Sequence, residues 1–150
     1  MRLVIQRVSE ASVSINEELK SAIDCGLLIL VGIEPNDDSK DIEWLVNKTC
    51  NLRIFDDENG VMNKSVLDVK GGLLVISQFT LHARTKKGNR PSYVNAAGPD
   101  IAIPLYDEFV TELEKASGVK VGTGEFGANM QVQLVNDGPV TIIIDSKRKE

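Results

Sequence analysis

Gly26-Leu27-Leu28-Ile29-Leu30-Val31-Gly32-Ile33, closed by Glu34-Pro35, and Gly71-Gly72-Leu73-Leu74-Val75-Ile76-Ser77-Gln78-Phe79-Thr80-Leu81 are the stretches on which the fold turns. The first is a continuous apolar run, short and bounded by glycine and proline, as a strand covered on both faces should be. The second opens on a glycine pair and predicts a strand over Leu73 to Leu81. Upstream, Leu3 to Ile15 carries β-branched residues without helical period. Asn16-Glu17-Glu18 then offers a turn into Leu19 to Cys25, which reads as a hairpin.

Two helices interrupt the strands. Asp38 or Ser39 can cap the first, in which Ile42, Leu45, Val46, Thr49 and Cys50 share a face. The second runs from about Pro99 to Ser117, with Ile101, Leu105, Phe109 and Leu113 at spacing four, Pro104 in its first turns and Gly118 as its stop. Asp57-Glu58-Asn59-Gly60 reads as a turn, and the chain finishes with strands Met130 to Val135 and Val140 to Asp145 and a tail, residues 146–150, that looks frayed. The expected fold is one mixed α/β domain over residues 1–150, rich in β structure, with helices covering part of a sandwich or barrel.

The chain has 150 residues, 42% hydrophobic and 26% charged, which suits a single core of ordinary size. It opens directly into Met1-Arg2-Leu3-Val4-Ile5-Gln6 with no leader pattern, and no apolar run reaches membrane-spanning length, so a cytoplasmic protein without a membrane partner is expected. Cys25 and Cys50 form no Cys-x-x-Cys pair and read as buried thiols. The single histidine, His82, excludes chemistry that needs several imidazoles, and no clustered Asp/Glu motif suggests magnesium; no metal and no cofactor are expected. A net charge of −5 argues against a broad phosphate-binding surface and against DNA as a partner. Arg84, Lys86, Lys87 and Arg90, four cations within seven residues, form the one candidate patch for RNA phosphates; a solvated surface loop is the alternative reading.

Strand alternation places Ser77, Phe79 and Leu81 on one face and Gln78, Thr80 and His82 on the other, so a polar trio emerges where an apolar strand ends. One chemistry for it is covalent: Thr80 as nucleophile with His82 as base, although no orienting carboxylate is evident beside His82. Another uses the main chain, with the N–H groups of Phe79 and Thr80 holding a developing oxyanion. Farther on, Asp137-Gly138 between two β runs is a hairpin signal, with glycine supplying positive φ and Pro139 starting the next strand through a trans bond.

Ser77-Gln78-Phe79-Thr80-Leu81 and Asn136-Asp137-Gly138-Pro139-Val140-Thr141 together resemble the signature of the D-aminoacyl-tRNA deacylases. Arg2, Gln6-Arg7-Val8, Asn51-Leu52-Arg53-Ile54-Phe55, Lys87-Gly88-Asn89-Arg90-Pro91, Phe126-Gly127-Ala128 and Met130-Gln131-Val132 fit the family pattern in the same order, so the resemblance spans nearly the whole chain. His82 stands where tyrosine is commoner.

The resemblance implies a layered β/β/α domain that works as a homodimer on the acceptor end of aminoacyl-tRNA. It implies hydrolysis of D-aminoacyl esters, and of mischarged glycine, by the backbone route through Ser77, Gln78, Phe79 and Thr80 with help from the RNA. A cis Gly138-Pro139 element would enter the partner subunit's pocket and reject L substrates, with Arg7 fixing that loop and Phe126 and Met130 near the terminal adenosine. A covalent Thr80 esterase and a non-enzymatic RNA-binding dimer are the rival readings.

Overall fold

The computed structural model describes residues 1–150. Eight strands and two α-helices run in the order β1 (Arg2–Ile15), β2 (Glu18–Ile23), β3 (Gly26–Gly32), α1 (Ser39–Asn51), β4 (Phe55–Asp56), β5 (Met62–Lys64), β6 (Gly72–Ser77), α2 (Pro99–Ser117), β7 (Gly122–Thr123) and β8 (Met130–Asp145), with a 3₁₀ turn, Phe79–His82, after β6. The main sheet has the order β2-β1-β3-β6-β7, with β8 beside β1; β4 and β5 form a separate small ribbon.

The two glycine-led apolar runs are neighbours. β3 and β6 pair in parallel from Gly26 opposite Gly72 to Val31 opposite Ser77. Their alternate side chains feed two separate cores, which is why neither strand shows a polar face. Leu27, Ile29, Val31, Leu73 and Val75 pack with Ile42, Leu45, Val46, Phe109 and Leu113 of the helices. Leu28, Leu74 and Ile76 pack on the opposite face with Val8, Ala11 and Val13 of β1. The long β1 makes this possible, pairing β3 through Arg2 to Val8 and β2 through Ala11 to Ile15. The Asn16-Glu17 turn has φ of 50° and 67° at its two residues, the doubly left-handed geometry that matches the twist of a tight hairpin.

Helix α1 is built as expected: Asp38 caps it, accepting from the backbone N–H groups of Lys40 and Asp41, while the Asp41 carboxylate accepts from the Asp38 N–H. Helix α2 begins at Pro99 and ends on Gly118 with φ of 72°. Its buried face is Ala102, Tyr106, Phe109 and Leu113, whereas Ile101 is exposed and Leu105 half-buried. Spacing of four throughout drifts off a stripe that repeats every 3.6 residues; the alternation of four and three keeps to it.

Three other expectations change. The tail is tied down at its start, for the Ser146 N–H donates to the Met1 carbonyl at 2.9 Å and Lys147 donates to Asp41 at 2.6 Å. Burial alone would raise the Asp41 carboxyl, but its bonds with Lys147, Ser146 and Asp38 hold it below the usual carboxylate range. Of the two thiols only Cys50 is buried; Cys25 is exposed at the end of β2, beyond the reach of both cores. The most consequential change concerns the last two strands, which are one. Met130 to Asn136 and Thr141 to Asp145 run in the same direction along the same partner, β1, so Asp137-Gly138 closes no hairpin.

The close approach of β3 to β6 at their start rests on Gly26. A Cβ on Gly26 would stand 2.0 Å from the Gly72 carbonyl oxygen, a backbone atom that cannot rotate away, whereas one on Gly72 would meet the Ile23 side chain at 2.9 Å. Gly26→Ala should therefore cost about 2–3 kcal/mol in urea denaturation, with Gly72→Ala costing distinctly less.

Candidate active site

The parallel ladder ends at Val31 and Ser77, and beyond it the backbone departs from the expected strand. The Gln78 N–H still donates to the Val31 carbonyl at 2.7 Å, but the chain then winds into the 3₁₀ turn, with Leu81 N–H bonded to Gln78 and Ala83 N–H to Thr80. The two-faced alternation read for residues 77 to 82 therefore stops at Ser77. The physical cause lies in β3. A Cβ on Gly32 would fall 2.9 Å from Leu81 Cβ, 3.0 Å from His82 Cδ2 and 3.1 Å from the Gln78 carbonyl oxygen, so the turn folds down onto the bare Cα of Gly32.

The winding separates the polar trio. The Gln78 amide donates to the Thr80 hydroxyl at 2.6 Å. His82 turns inward, 4% exposed, with Nδ1 3.5 Å from the Glu34 carboxylate and Nε2 without a hydrogen-bond partner. A carboxylate does stand beside His82, unseen in the sequence because Glu34 lies 48 positions away, but the Thr80 hydroxyl faces Gln78 and not the imidazole. A 3₁₀ turn leaves its first N–H groups without partners inside the turn, here those of Phe79 and Thr80.

Beside the turn, outside the carboxyl ends of β3 and β6, lies a cavity of about 280 Å³. Ser77, Gln78 and Phe79 form one wall, with Phe126, Ala128 and Met130 opposite. Such a position suits a ligand because strand ends present unpaired backbone next to an apolar floor. Tyr106 orders the far wall: its hydroxyl donates to the Val75 carbonyl at 2.8 Å and its ring meets Phe126 edge-on, with centroids 6.3 Å apart. Burial pushes the Tyr106 hydroxyl far above its ordinary value, so it stays a neutral donor. Tyr106 was legible only to a periodicity of 3.6; spacing of four passes over it.

Gly138 and Pro139 do not line this cavity. The register sets Gln6 opposite Thr141 and Val8 opposite Asn136, so the four residues Asp137 to Val140 are expelled from the ladder opposite the single residue Arg7. The buried Arg7 guanidinium donates to the Asp137 carbonyl at 2.8 Å and to the Ile54 carbonyl at 2.7 Å, with Asp56 Oδ1 at 3.1 Å, tying the bulge to the β4 ribbon. The Gly138-Pro139 bond is cis and both residues are exposed. Gly138 does not have positive φ; a Cβ there is opposed by Asn136 Nδ2 at 2.4 Å and Val140 N at 2.5 Å.

Arg84, Lys86, Lys87 and Arg90 sit on the loop that leaves the turn, all exposed and none in an ion pair. Phe79, also exposed, meets Tyr93 edge-on at 5.0 Å at the base of that loop. No helix is long and apolar enough to cross a membrane.

The fold and site define a strand-rich, single-domain α/β protein with a cavity at the ends of two parallel strands. A family profile described as D-Tyr-tRNA(Tyr) deacylase matches residues 4–145. The chain is 66% identical, over all 150 residues of both proteins, to a D-aminoacyl-tRNA deacylase of Bacteroides fragilis (strain YCH46). Among solved structures it is similar to a c-Myc DNA Unwinding Element Binding Protein (TM-score 0.91, 42% identity, 97% of this chain and 98% of that one). The fold also matches a probable eukaryotic D-amino acid tRNA deacylase (TM-score 0.83, 16% identity, 95% and 97% covered). The chain belongs to the D-Tyr-tRNA(Tyr) deacylase family.

Because the turn rests on Gly32, Gly32→Ala should displace it by a few tenths of an ångström and leave the rest of the sheet in place. Backbone amide chemical shifts from Gln78 to Ala83 should move in the variant while those of the β1–β8 ribbon remote from Gly32, Val8 to Ile15 with Met130 to Asn136, stay, and uniform small shifts would contradict this packing.

Proposed function

We propose that this chain hydrolyses the ester linking D-amino acids, and glycine, to the acceptor end of tRNA and spares the L-esters. The observation that carries the reading is a division of parts within one chain. Phe79 lines the cavity and Thr80 follows it in the turn beside it, while Arg7 holds Gly138-Pro139 exposed and outside it. A symmetric homodimer supplies what each chain lacks, the bulge of one subunit entering the cavity of the other, where its backbone carbonyls meet the substrate's amino group.

In this reaction the two free amides receive the negative charge that develops on the ester oxygen when water adds to the carbonyl carbon. The ribose oxygen leaves with a proton, giving free amino acid and intact tRNA, and the neighbouring ribose hydroxyl positions the water. No side-chain nucleophile is used. The Thr80 hydroxyl is engaged by Gln78 and His82 is buried toward Glu34, so a threonine-histidine pair has no geometry to support it. The terminal adenosine rests against Phe126 and Met130, and Arg84, Lys86, Lys87 and Arg90 meet phosphates beyond it. Selectivity is steric: the Gly138-Pro139 backbone, pressed against the α-carbon, leaves room for hydrogen and none for an L side chain. Glycine is cleaved because it has no side chain to exclude. The setting is the cytoplasm, where charged tRNA is found.

Release of free amino acid from D-tyrosyl- or D-aspartyl-tRNA should outpace release from the L-esters by orders of magnitude, and equal rates would remove the chirality claim. Thr80→Ala should retain a measurable fraction of activity without any acyl-enzyme. Trapping of an acyl-Thr80 adduct, or a loss as large as removing a nucleophile, about 10⁴-fold or more, would favour the covalent esterase.

The shared site has its own test. One inactive variant, Gly138→Val, damages the bulge; another, Ala128→Trp, fills the cavity. Mixed after subunit exchange, they should regain activity, since a mixed dimer holds one intact cavity facing one intact bulge. Absence of recovery after verified exchange would assign the bulge to its own subunit.

A further inference from the structure

We propose that Arg2 is a positioning residue for this hydrolysis: it grips the Leu81 carbonyl and so aims the Phe79 and Thr80 amides at the cavity. The inference rests on the backbone mechanism above.

A four-residue 3₁₀ turn cannot hold its own geometry, because two or three strained hydrogen bonds do not offset the ordering of its backbone. At its two ends the Leu81 N–H donates to the Gln78 carbonyl at 3.2 Å and the Ala83 N–H to the Thr80 carbonyl at 3.1 Å. The tether comes from the other end of the chain. Arg2 Nη1 donates to the Leu81 carbonyl at 2.7 Å, while Nε and Nη2 donate to Asp145 Oδ2 at 3.0 and 2.8 Å. Asp145 is itself fixed, its Oδ1 accepting the N–H groups of Lys147 at 2.9 Å and Arg148 at 3.2 Å. The fork geometry of guanidinium lets one planar group hold both acceptors at once, which an ammonium cannot do.

Direction makes the contact matter. In a helical turn the N–H groups point toward its N-terminal end and the carbonyls toward its C-terminal end, so a donor fixed on the Leu81 carbonyl fixes the axis along which the leading amides point. A cation at that end also opposes the partial negative charge of the carbonyls. Arg2 does this without touching the substrate cavity. It lies in a separate open cleft of about 830 Å³ with Trp44, Leu81 and Asp145, and the turn is the wall between the two spaces, giving Gln78 and Phe79 to one and Leu81 to the other.

The test uses Arg2→Ala and Arg2→Lys in the full chain, the lysine variant keeping charge and stem in case alanine weakens the fold. Both should lower kcat on a D-aminoacyl-tRNA by about tenfold or more and leave KM within about threefold, since ground-state binding is untouched. Amide hydrogen exchange should quicken at Leu81 and Ala83 and stay unchanged in β3. Millimolar guanidinium, admitted by the open cleft, should restore part of kcat to Arg2→Ala. Unchanged exchange overturns the tether whatever ester the chain acts on, and faster exchange with unchanged kcat overturns its role in the reaction. A fall in kcat matched by the loss of folded protein, without rescue, reduces Arg2 to a structural residue and overturns the proposal.

Discussion

The parallel ladder between β3 and β6 sets the terms for every other element. Two strands buried on both faces need a layer on each side, and the chain supplies helices α1 and α2 on one and the curved β1–β8 ribbon on the other. Gly26 sets how closely the strands approach at their start, Gly72 leaves room for Ile23 of β2, and Gly32 sets where the pairing gives way to a turn. The site exists because a well-packed ladder stops abruptly: beyond Val31 and Ser77 the backbone has donors to spare and an apolar floor beside it.

Irregular backbone beside a core needs partners for its polar groups, and two arginines near the start of β1 supply them. Arg7 takes the carbonyls of Asp137 and Ile54 and thereby sets the outward bulge of Gly138-Pro139. Arg2 takes the Leu81 carbonyl at the opposite end of the same strand half. Both irregular segments are thus referred to one rigid element, β1, which fixes their mutual placement in each subunit. In the proposed dimer, a site shared between subunits would inherit that rigidity.

Charge distribution suits a substrate that is touched locally. The chain carries −5 overall, yet the loop leaving the site presents four exposed, unpaired cations. Most other basic side chains near the site are engaged, Arg2 with Asp145, Arg7 with Asp56 and Asp137, Lys147 with Asp41. Under the proposed function, affinity for a phosphate backbone would concentrate on that loop.

Local signals in the sequence determined the elements. Apolar runs marked the doubly buried strands, Asp38, Pro99 and Gly118 marked helix ends, and Asn16-Glu17 marked the tight turn, because each depends on interactions within a few residues. Family strings pointed to Ser77, Gln78, Phe79, Thr80, Phe126 and Met130, and all of these but Thr80 line one cavity. What only the tertiary structure decided is everything that needs a distant partner. Residues 78 to 82 look like continued strand until Gly32 removes the Cβ that would hold them off. Asp137-Gly138 looks like a hairpin until β1 proves long enough to pair with both flanks and Arg7 satisfies the bulge. Glu34 beside His82, Tyr106 beneath Phe126 and Arg2 on Leu81 are contacts across tens of residues, set by how the layers pack, and no local pattern of residue types encodes them.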